Sequence, residues 1–245
     1  MKSLITFILS TLILIITFAC QPSVKKNKNK TMIVKGQIEG LKKGTLYLQK
    51  FDDTLLVNID SILVKGIPNF EFKTHIETAE VFYLYLNKED GDSLNDRILF
   101  FGEQGTIEIN TLLKTFESSA KISGSRNQEL LQEYLSFNKK FNDLNLQLIK
   151  DYYEAQKNSN PSKSDSIQQK IDNLLKRRYL YTINFAAQNT DQNIAPYLAL
   201  TKVYNANISL LDSIAIKMTS EVRDSKYGKE FINFLEQRRS ETIIN

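Results

Sequence analysis

The 245 residues carry 32 Lys plus Arg against 28 Asp plus Glu, a formal net charge of +4, and 42% of them are hydrophobic. That apolar content excludes global disorder, and the near-even charge gives no electrostatic footprint for a nucleic-acid partner. A single Cys rules out an intramolecular disulfide, a CxxC redox pair and a Cys-rich zinc site. A single His rules out a His-rich metal centre and any mechanism that needs two imidazoles.

The chain opens Met1-Lys2-Ser3, continues as an apolar run from Leu4 to Ala19, and reaches Cys20. A short basic start, an apolar stretch below the ~20 residues of a spanning helix and a small residue before the Cys predict a secretory signal over 1–19. Thr17-Phe18-Ala19-Cys20 resembles a loose bacterial lipobox, which implies cleavage after Ala19 and lipid on Cys20. A thiolate is the soft nucleophile that can accept a diacylglycerol group. Residues 20–31 hold Pro22 and the run Lys25-Lys26-Asn27-Lys28-Asn29-Lys30, with almost no apolar residue. They read as a polar, basic tether that lifts the domain off the lipid and can touch anionic headgroups. The tether lacks acidic residues resembling a surface-export signal. The expected location is therefore the cell envelope, lipid-anchored, at the outer membrane and facing the periplasm.

From Met32 to Ser123 the hydropathy period is two. The predicted strands are Met32–Ile38, Thr45–Phe51, Leu55–Val64, Asn69–Thr74, Glu80–Leu86, Arg97–Phe101, Thr106–Asn110 and Lys121–Ser123. Leu46 and Leu48 alternate with Tyr47 and Gln49, Phe70 and Phe72 with Glu71 and Lys73, and Ile107 and Ile109 with Glu108. Each strand thus has one apolar face, as in antiparallel sheets. Residues 32–124 are expected to form an antiparallel β-sandwich or partly open barrel.

The period changes after Gly124. Ser125 with Gln128 fits a capping box. Leu130, Tyr134, Phe137, Phe141, Leu144 and Leu148 then recur at spacings of four and three, continued weakly by Tyr152. Asn160-Pro161 marks a turn over Lys157–Ser164, and a second helix is expected from Asp165 with Ile167, Ile171, Leu174 and Leu175 on one side. Together these predict an antiparallel helical hairpin, with Phe141 in its core against Ile171 and Leu174. Shorter helices are expected over Asn193–Tyr204, Ser209–Glu221 and Ser225–Arg239. The fold class is α+β, with a helical domain over 125–240.

Val34-Lys35-Gly36-Gln37-Ile38-Glu39-Gly40-Leu41, Gly44-Thr45-Leu46-Tyr47-Leu48 and Asn69-Phe70-Glu71-Phe72 resemble an uncharacterised β-rich domain, domain of unknown function 4369. It occurs at the N-terminus of Bacteroidota-type lipoproteins, usually ahead of a thioredoxin-like module. Gly102-Glu103-Gln104-Gly105-Thr106-Ile107-Glu108-Ile109 and Ile122-Ser123-Gly124-Ser125-Arg126-Asn127 continue the resemblance. Ser225-Lys226-Tyr227-Gly228-Lys229 is similar to the linker before the redox module. A thioredoxin-like module needs on the order of 100 residues and a CxxC pair. The sequence ends at Asn245 with one Cys, so the family's oxidoreductase activity carries over to no residue here.

Other chemistry is sparse. Glu89-Asp90-Gly91-Asp92 with Asn95-Asp96 gathers oxygen ligands but lacks EF-hand spacing, so a solvated hairpin loop is expected. Asp52, Asp53 and Asp60 could supply a carboxylate pair, and His75 reads as a surface residue. Lys176-Arg177-Arg178 reads as a solvated helix face. The stretch Val81-Phe82-Tyr83-Leu84-Tyr85-Leu86 is expected to be buried on both faces, the alternative being an exposed aromatic patch. No nucleophile elbow, P-loop or dinucleotide fingerprint is present. The expected function is a non-catalytic envelope lipoprotein with no cofactor and no metal, anchored by Cys20, that acts as a binding or scaffold module toward a periplasmic partner. The alternatives are an accessory subunit for a separate thioredoxin-like protein and a carboxylate-based hydrolase.

Overall fold

The computed structural model describes residues 30–88 and 96–244. The segment expected to be a signal, Cys20, most of the expected tether and residues 89–95, expected to be a hairpin loop, lie outside the described residues. Eight strands form where the period-two pattern predicts them: β1 (Thr31–Glu39), β2 (Lys43–Asp52), β3 (Leu55–Lys65), β4 (Asn69–His75), β5 (Glu80–Asn87), β6 (Arg97–Gly102), β7 (Gly105–Leu112) and β8 (Lys121–Ser123). They make two four-stranded sheets, ordered β4-β1-β7-β8 and β3-β2-β5-β6. The pairing is antiparallel except that β1 and β7 run parallel, with Val34 opposite Ile107 and Gly36 opposite Ile109. Strand alternation alone does not carry this detail, because parallel and antiparallel neighbours show the same period.

Between the sheets lies a first core. Met32, Val34, Phe70, Phe72, Ile107 and Ile109 enter from one sheet, and Leu46, Leu48, Phe82, Leu84, Leu86, Ile98 and Phe100 from the other. A bulge at Leu48/Gln49 shifts the β2–β3 register by one residue and sets Ile59 against this core.

The helices are α1 (Arg126–Lys157), α2 (Pro161–Gln188), α3 (Ile194–Lys202), α4 (Ile208–Lys217), α5 (Ser220–Arg223) and α6 (Lys226–Ile244). Gly124 turns the chain from β8 into α1 at φ +99°, and a Cβ there would stand 2.0 Å from the Thr106 carbonyl oxygen. Pro161 is not in the turn but opens α2, whose Asn160 cap accepts from the Lys163 N–H; proline at this position loses no helical bond. The helix expected over Ser209–Glu221 breaks at Met218, and Thr219 caps the separate turn α5.

A second core joins the halves. Ala79, Val81 and Phe101, from the outer face of the second sheet and its approach, pack with Leu130, Leu131, Tyr134, Ile183, Phe185, Leu198, Ile214 and Phe231 from the helices. Phe101 meets Tyr197 and Tyr227 edge-on at ring distances of 5.4 and 6.0 Å. Backbone groups at the strand ends are taken by helix side chains. Phe101 N–H donates to Gln128 Oε1 at 2.7 Å, and Val81 N–H donates to the Tyr227 hydroxyl at 3.0 Å. Glu80, buried at the start of β5, accepts from both Lys50 and Lys226.

α1 and α2 form the hairpin, and its seam is unevenly closed. At the base Leu130 and Tyr134 are buried; at the tip Ala155, Ile167 and Ile171 form a small core of their own. Between them Phe137 is 41% and Leu144 48% exposed, and Phe141 is half-buried. The Phe141 ring contact is with Tyr181, at 5.9 Å, which corrects the expectation of a core Phe141 against Ile171 and Leu174. Two helices cover a heptad seam from one side only.

Leu130→Ala should therefore cost about 2–5 kcal/mol and Phe141→Ala only about 1 kcal/mol, as read by urea unfolding. At Gly228 a Cβ would stand 1.9 Å from the Val222 carbonyl oxygen and 2.7 Å from that of Arg223. Gly228→Ala should lower stability by about 3 kcal/mol or more, because the opposing atoms are backbone and cannot rotate away.

Candidate functional site

A cleft of about 330 Å³ opens where the sandwich meets the helices. Its wall is made by Lys30 before β1, Ile76–Ala79 between β4 and β5, Glu103 and Gln104 in the β6–β7 turn, Asn127 in the first turn of α1, Asp191–Asn193 before α3, and Glu221, Val222 and Ser225 around α5. No single element builds it.

Asn127, buried to 2% exposure, is the central polar group. Its Nδ2 donates to Glu103 Oε2 at 2.8 Å, and its Oδ1 accepts the Ile194 N–H at 2.9 Å. One side chain thus ties the β6–β7 turn to the start of α3. Glu103 Oε1 also accepts the Arg126 N–H at 2.8 Å. The capping box expected at Ser125 forms by half: Ser125 Oγ accepts the Gln128 N–H, while the Gln128 side chain leaves for Phe101. Glu103 takes over as the carboxylate at the helix N-terminus, where the helix dipole favours negative charge.

On the opposite wall Ser225 Oγ donates to the Val222 carbonyl at 2.6 Å and accepts the Gly228 N–H at 3.1 Å. The Lys226 N–H donates to Thr78 Oγ1 at 3.2 Å. At the rim Glu77 is held by Lys30 and by His75 Nε2, the latter at 2.6 Å. The hydrogen bond from His75 and then that from Lys30 pull the Glu77 carboxyl down to about 2. With Glu77, Glu103, Asp191 and Glu221 against Lys30, the lining carries more carboxylates than cations. Behind the cleft, burial pushes the Tyr197 hydroxyl up to about 12 and the Tyr227 hydroxyl higher still, so both stay neutral donors and acceptors.

The residues singled out by sequence fall elsewhere, His75 excepted. Asp52 and Asp53 lie at the β2–β3 turn, and Asp60 is exposed midway along β3, where it accepts from the Ser61 N–H; the strand holds them apart. His75 is exposed and sits at the rim through Glu77. Glu89 to Asn95 lie outside the described residues, while Asp96 is buried and paired with Lys88 at 2.6 Å. Among the described residues no group of three or more His, Cys, Asp or Glu could hold a metal ion. On β5, Val81, Phe82, Leu84 and Leu86 are buried, and Tyr83 and Tyr85 are half-buried. Tyr85 stacks on Tyr47 at 5.9 Å, and the Arg97 guanidinium lies 5.1 Å from the Tyr85 ring. That face is closed on itself by Arg97 rather than left as an open aromatic patch.

The cleft residues carry no catalytic motif and were not singled out as site residues. The resemblance offered the signal: the segments containing Glu103, Asn127 and Ser225 are separate in sequence and meet at this junction. Residues 32–131 match the family model described as Domain of unknown function (DUF4369). The match covers the eight strands, save the first residue of β1, and the start of α1, so it includes Glu103, Asn127 and Gln128, the groups that dock the helices. No curated protein and no solved structure matches the chain. No described helix is long and apolar enough to cross a membrane.

Glu77 gives a direct check. Because its folded pKa is depressed, its contribution to stability is present above the ordinary carboxyl range and is lost as pH falls toward 2. An NMR titration should place the Glu77 midpoint near 2. His75→Ala should move it upward, and a midpoint unchanged by that substitution would show that the rim pair does not form.

Proposed function

We propose that the chain is a non-catalytic cell-envelope lipoprotein, held at the outer membrane by lipid on Cys20 and facing the periplasm. Its junction cleft serves as the binding site of a scaffold module. The observation that carries the binding role is the cleft itself, built jointly by the sandwich and the helices. Its volume lies in the range of ligand sites. The excess of carboxylates on its wall suits a cationic group, either a small amine or a basic side chain of a partner.

The hydrogen bonding of the wall supports a binding role over a catalytic one. Asn127 and Glu103 use their hydrogen bonds to join the two halves, and Ser225 uses its own to fix the passage from α5 into α6. They are positioned as a rigid wall rather than aimed at a reacting atom. Lys30 stands at the cleft, ten residues after Cys20, and an extended chain of that length reaches about 35 Å. A lipid anchor on Cys20 would hold the cleft within that distance of the bilayer. The apolar run ending at the only Cys and the resemblance to Bacteroidota-type lipoproteins support the anchor.

Both parts are testable. In cells fed an alkyne fatty acid, the wild-type chain should label and Cys20→Ala should not; labelling of the variant would overturn the anchor. For the cleft, spermidine and arginine amide should raise the melting temperature of the wild-type chain and leave Asp191→Asn with a smaller shift. Equal shifts in both proteins would remove the cleft as the cation site.

A further inference from the structure

We propose that the open middle of the α1–α2 seam docks an acidic amphipathic helix of a partner protein. This surface is separate from the junction cleft, and the proposal stands whether or not Cys20 is acylated.

The two helices each contribute one stripe at spacings of three and four. On α1 it runs Phe137, Lys140, Leu144, Gln147 and Asp151; on α2 it runs Lys170, Leu174, Arg177 and Tyr181. Residues at these spacings share a helix face. The stripes face one groove, because Phe137 and Tyr181 are in ring contact at 5.0 Å. The groove is apolar at its floor, where Leu174 is 5% exposed, and open at its rim, where Phe137 and Leu144 are 41% and 48% exposed.

Charge selects the occupant. Lys140, Lys170 and Arg177 flank the open stretch, and none of the three is in an ion pair among the described residues. The ion pairs of the fold lie elsewhere, Lys50 and Lys226 with Glu80, Lys88 with Asp96, and Arg239 with Asp212. In the groove Lys140 instead lies over the Phe137 ring, with its Nζ 5.0 Å from the centroid. The carboxylates on the α1 stripe stand at its two ends: Glu133, one turn before Phe137 and close enough to act on Tyr181, toward the base, and Asp151, which accepts from Gln147, toward the tip. An incoming surface that brings both apolar side chains and carboxylates would cover the rim and neutralise the three cations.

Shape selects a helix over a bilayer. The open stretch from Phe137 to Leu148 is about 17 Å long, three turns of helix, and it is a groove between two cylinders. A third helix completes such a seam, as in a three-helix bundle. A bilayer is flat and meets one face, whereas the remaining exposed apolar and basic residues lie around the hairpin. Leu146 and Lys139 are on the far side of α1 from the seam, and Leu180 is on the far side of α2.

The test uses residues 20–245 with Cys20→Ser, which retain every described element. The probe is a fluorescent 21-residue helical peptide with Leu at heptad seam positions and Glu on its flanks. Its counterpart carries Lys in place of Glu. The Glu peptide should bind saturably and the Lys peptide should not. Lys140→Glu with Arg177→Glu should weaken binding at least tenfold. Lys139→Glu with Lys176→Glu, the same charge change away from the groove, should alter it less than twofold. All four positions are exposed, so unchanged melting curves control for folding. Absence of saturable binding by the Glu peptide, or equal loss in the two double variants, would overturn the proposal. So would tight binding to phosphatidylglycerol vesicles that the Glu peptide does not displace, which would assign the groove to a membrane surface instead.

Discussion

The architecture depends on one contact region, where the start of β5 meets the start of α6. Glu80 is buried between two ammonium groups, Lys50 from the sandwich and Lys226 from the helix. Next to it the Tyr227 hydroxyl accepts a strand N–H, and Thr78 accepts the Lys226 N–H. Burying a carboxylate is costly unless it is paired and hydrogen-bonded. Lys50 satisfies one Glu80 oxygen from within the sandwich, and the other is satisfied only when the docked helices bring Lys226. The ion triad therefore makes the position of the helical region specific, while the apolar contacts of Phe101, Tyr197 and Phe231 supply most of the attraction. The cleft follows from this docking, since its two walls belong to the two sides of the joint.

The hairpin stands in a different energetic position. Its base shares the second core, and its tip has a small core of its own. The middle is held by the ring contacts of Tyr181 with Phe137 and Phe141. Local stability follows the density of buried apolar contacts. The molecule thus combines a well-packed body with an arm whose central turns are the least covered helical segment, a distribution suited to a surface that recognises something else.

Much of the fold was legible in the sequence because its signals are local. Phe70 and Phe72, or Ile107 and Ile109, announce a half-buried strand by alternation alone, and Gly124 with Ser125 marks the change to helix. The misreadings arose where a residue's role is set by distant partners or by geometry. Phe141 obeys the heptad, but periodicity cannot say whether a second layer covers the seam. Asn160-Pro161 has the pattern of a turn, yet the same fixed φ that breaks a helix interior suits its first position. The parallel pairing of β1 with β7 depends on chain topology, which alternation does not encode. Ser225-Lys226-Tyr227-Gly228 is similar to a linker in sequence, and in the fold it fastens the helices to the start of β5. Lys226 and Tyr227 act on Thr78, Glu80 and Val81, partners that only folding brings near. For the same reason Asn127 and Glu103 were invisible as cleft residues, since neither belongs to a catalytic motif.

The place of β1 in its sheet has a mechanical consequence. It is an inner strand, hydrogen-bonded along its length to β4 on one side and to β7 on the other. The N-terminal segment enters the fold at its first residue, Thr31. A pull delivered through that segment along the strand axis loads the bonds of both ladders together, in shear, so that they share the force. An edge strand pulled outward would instead peel open one bond at a time. The fold is therefore entered at a point of high resistance to extension, and tension on the N-terminal segment is passed to the whole first sheet before any single strand can leave it.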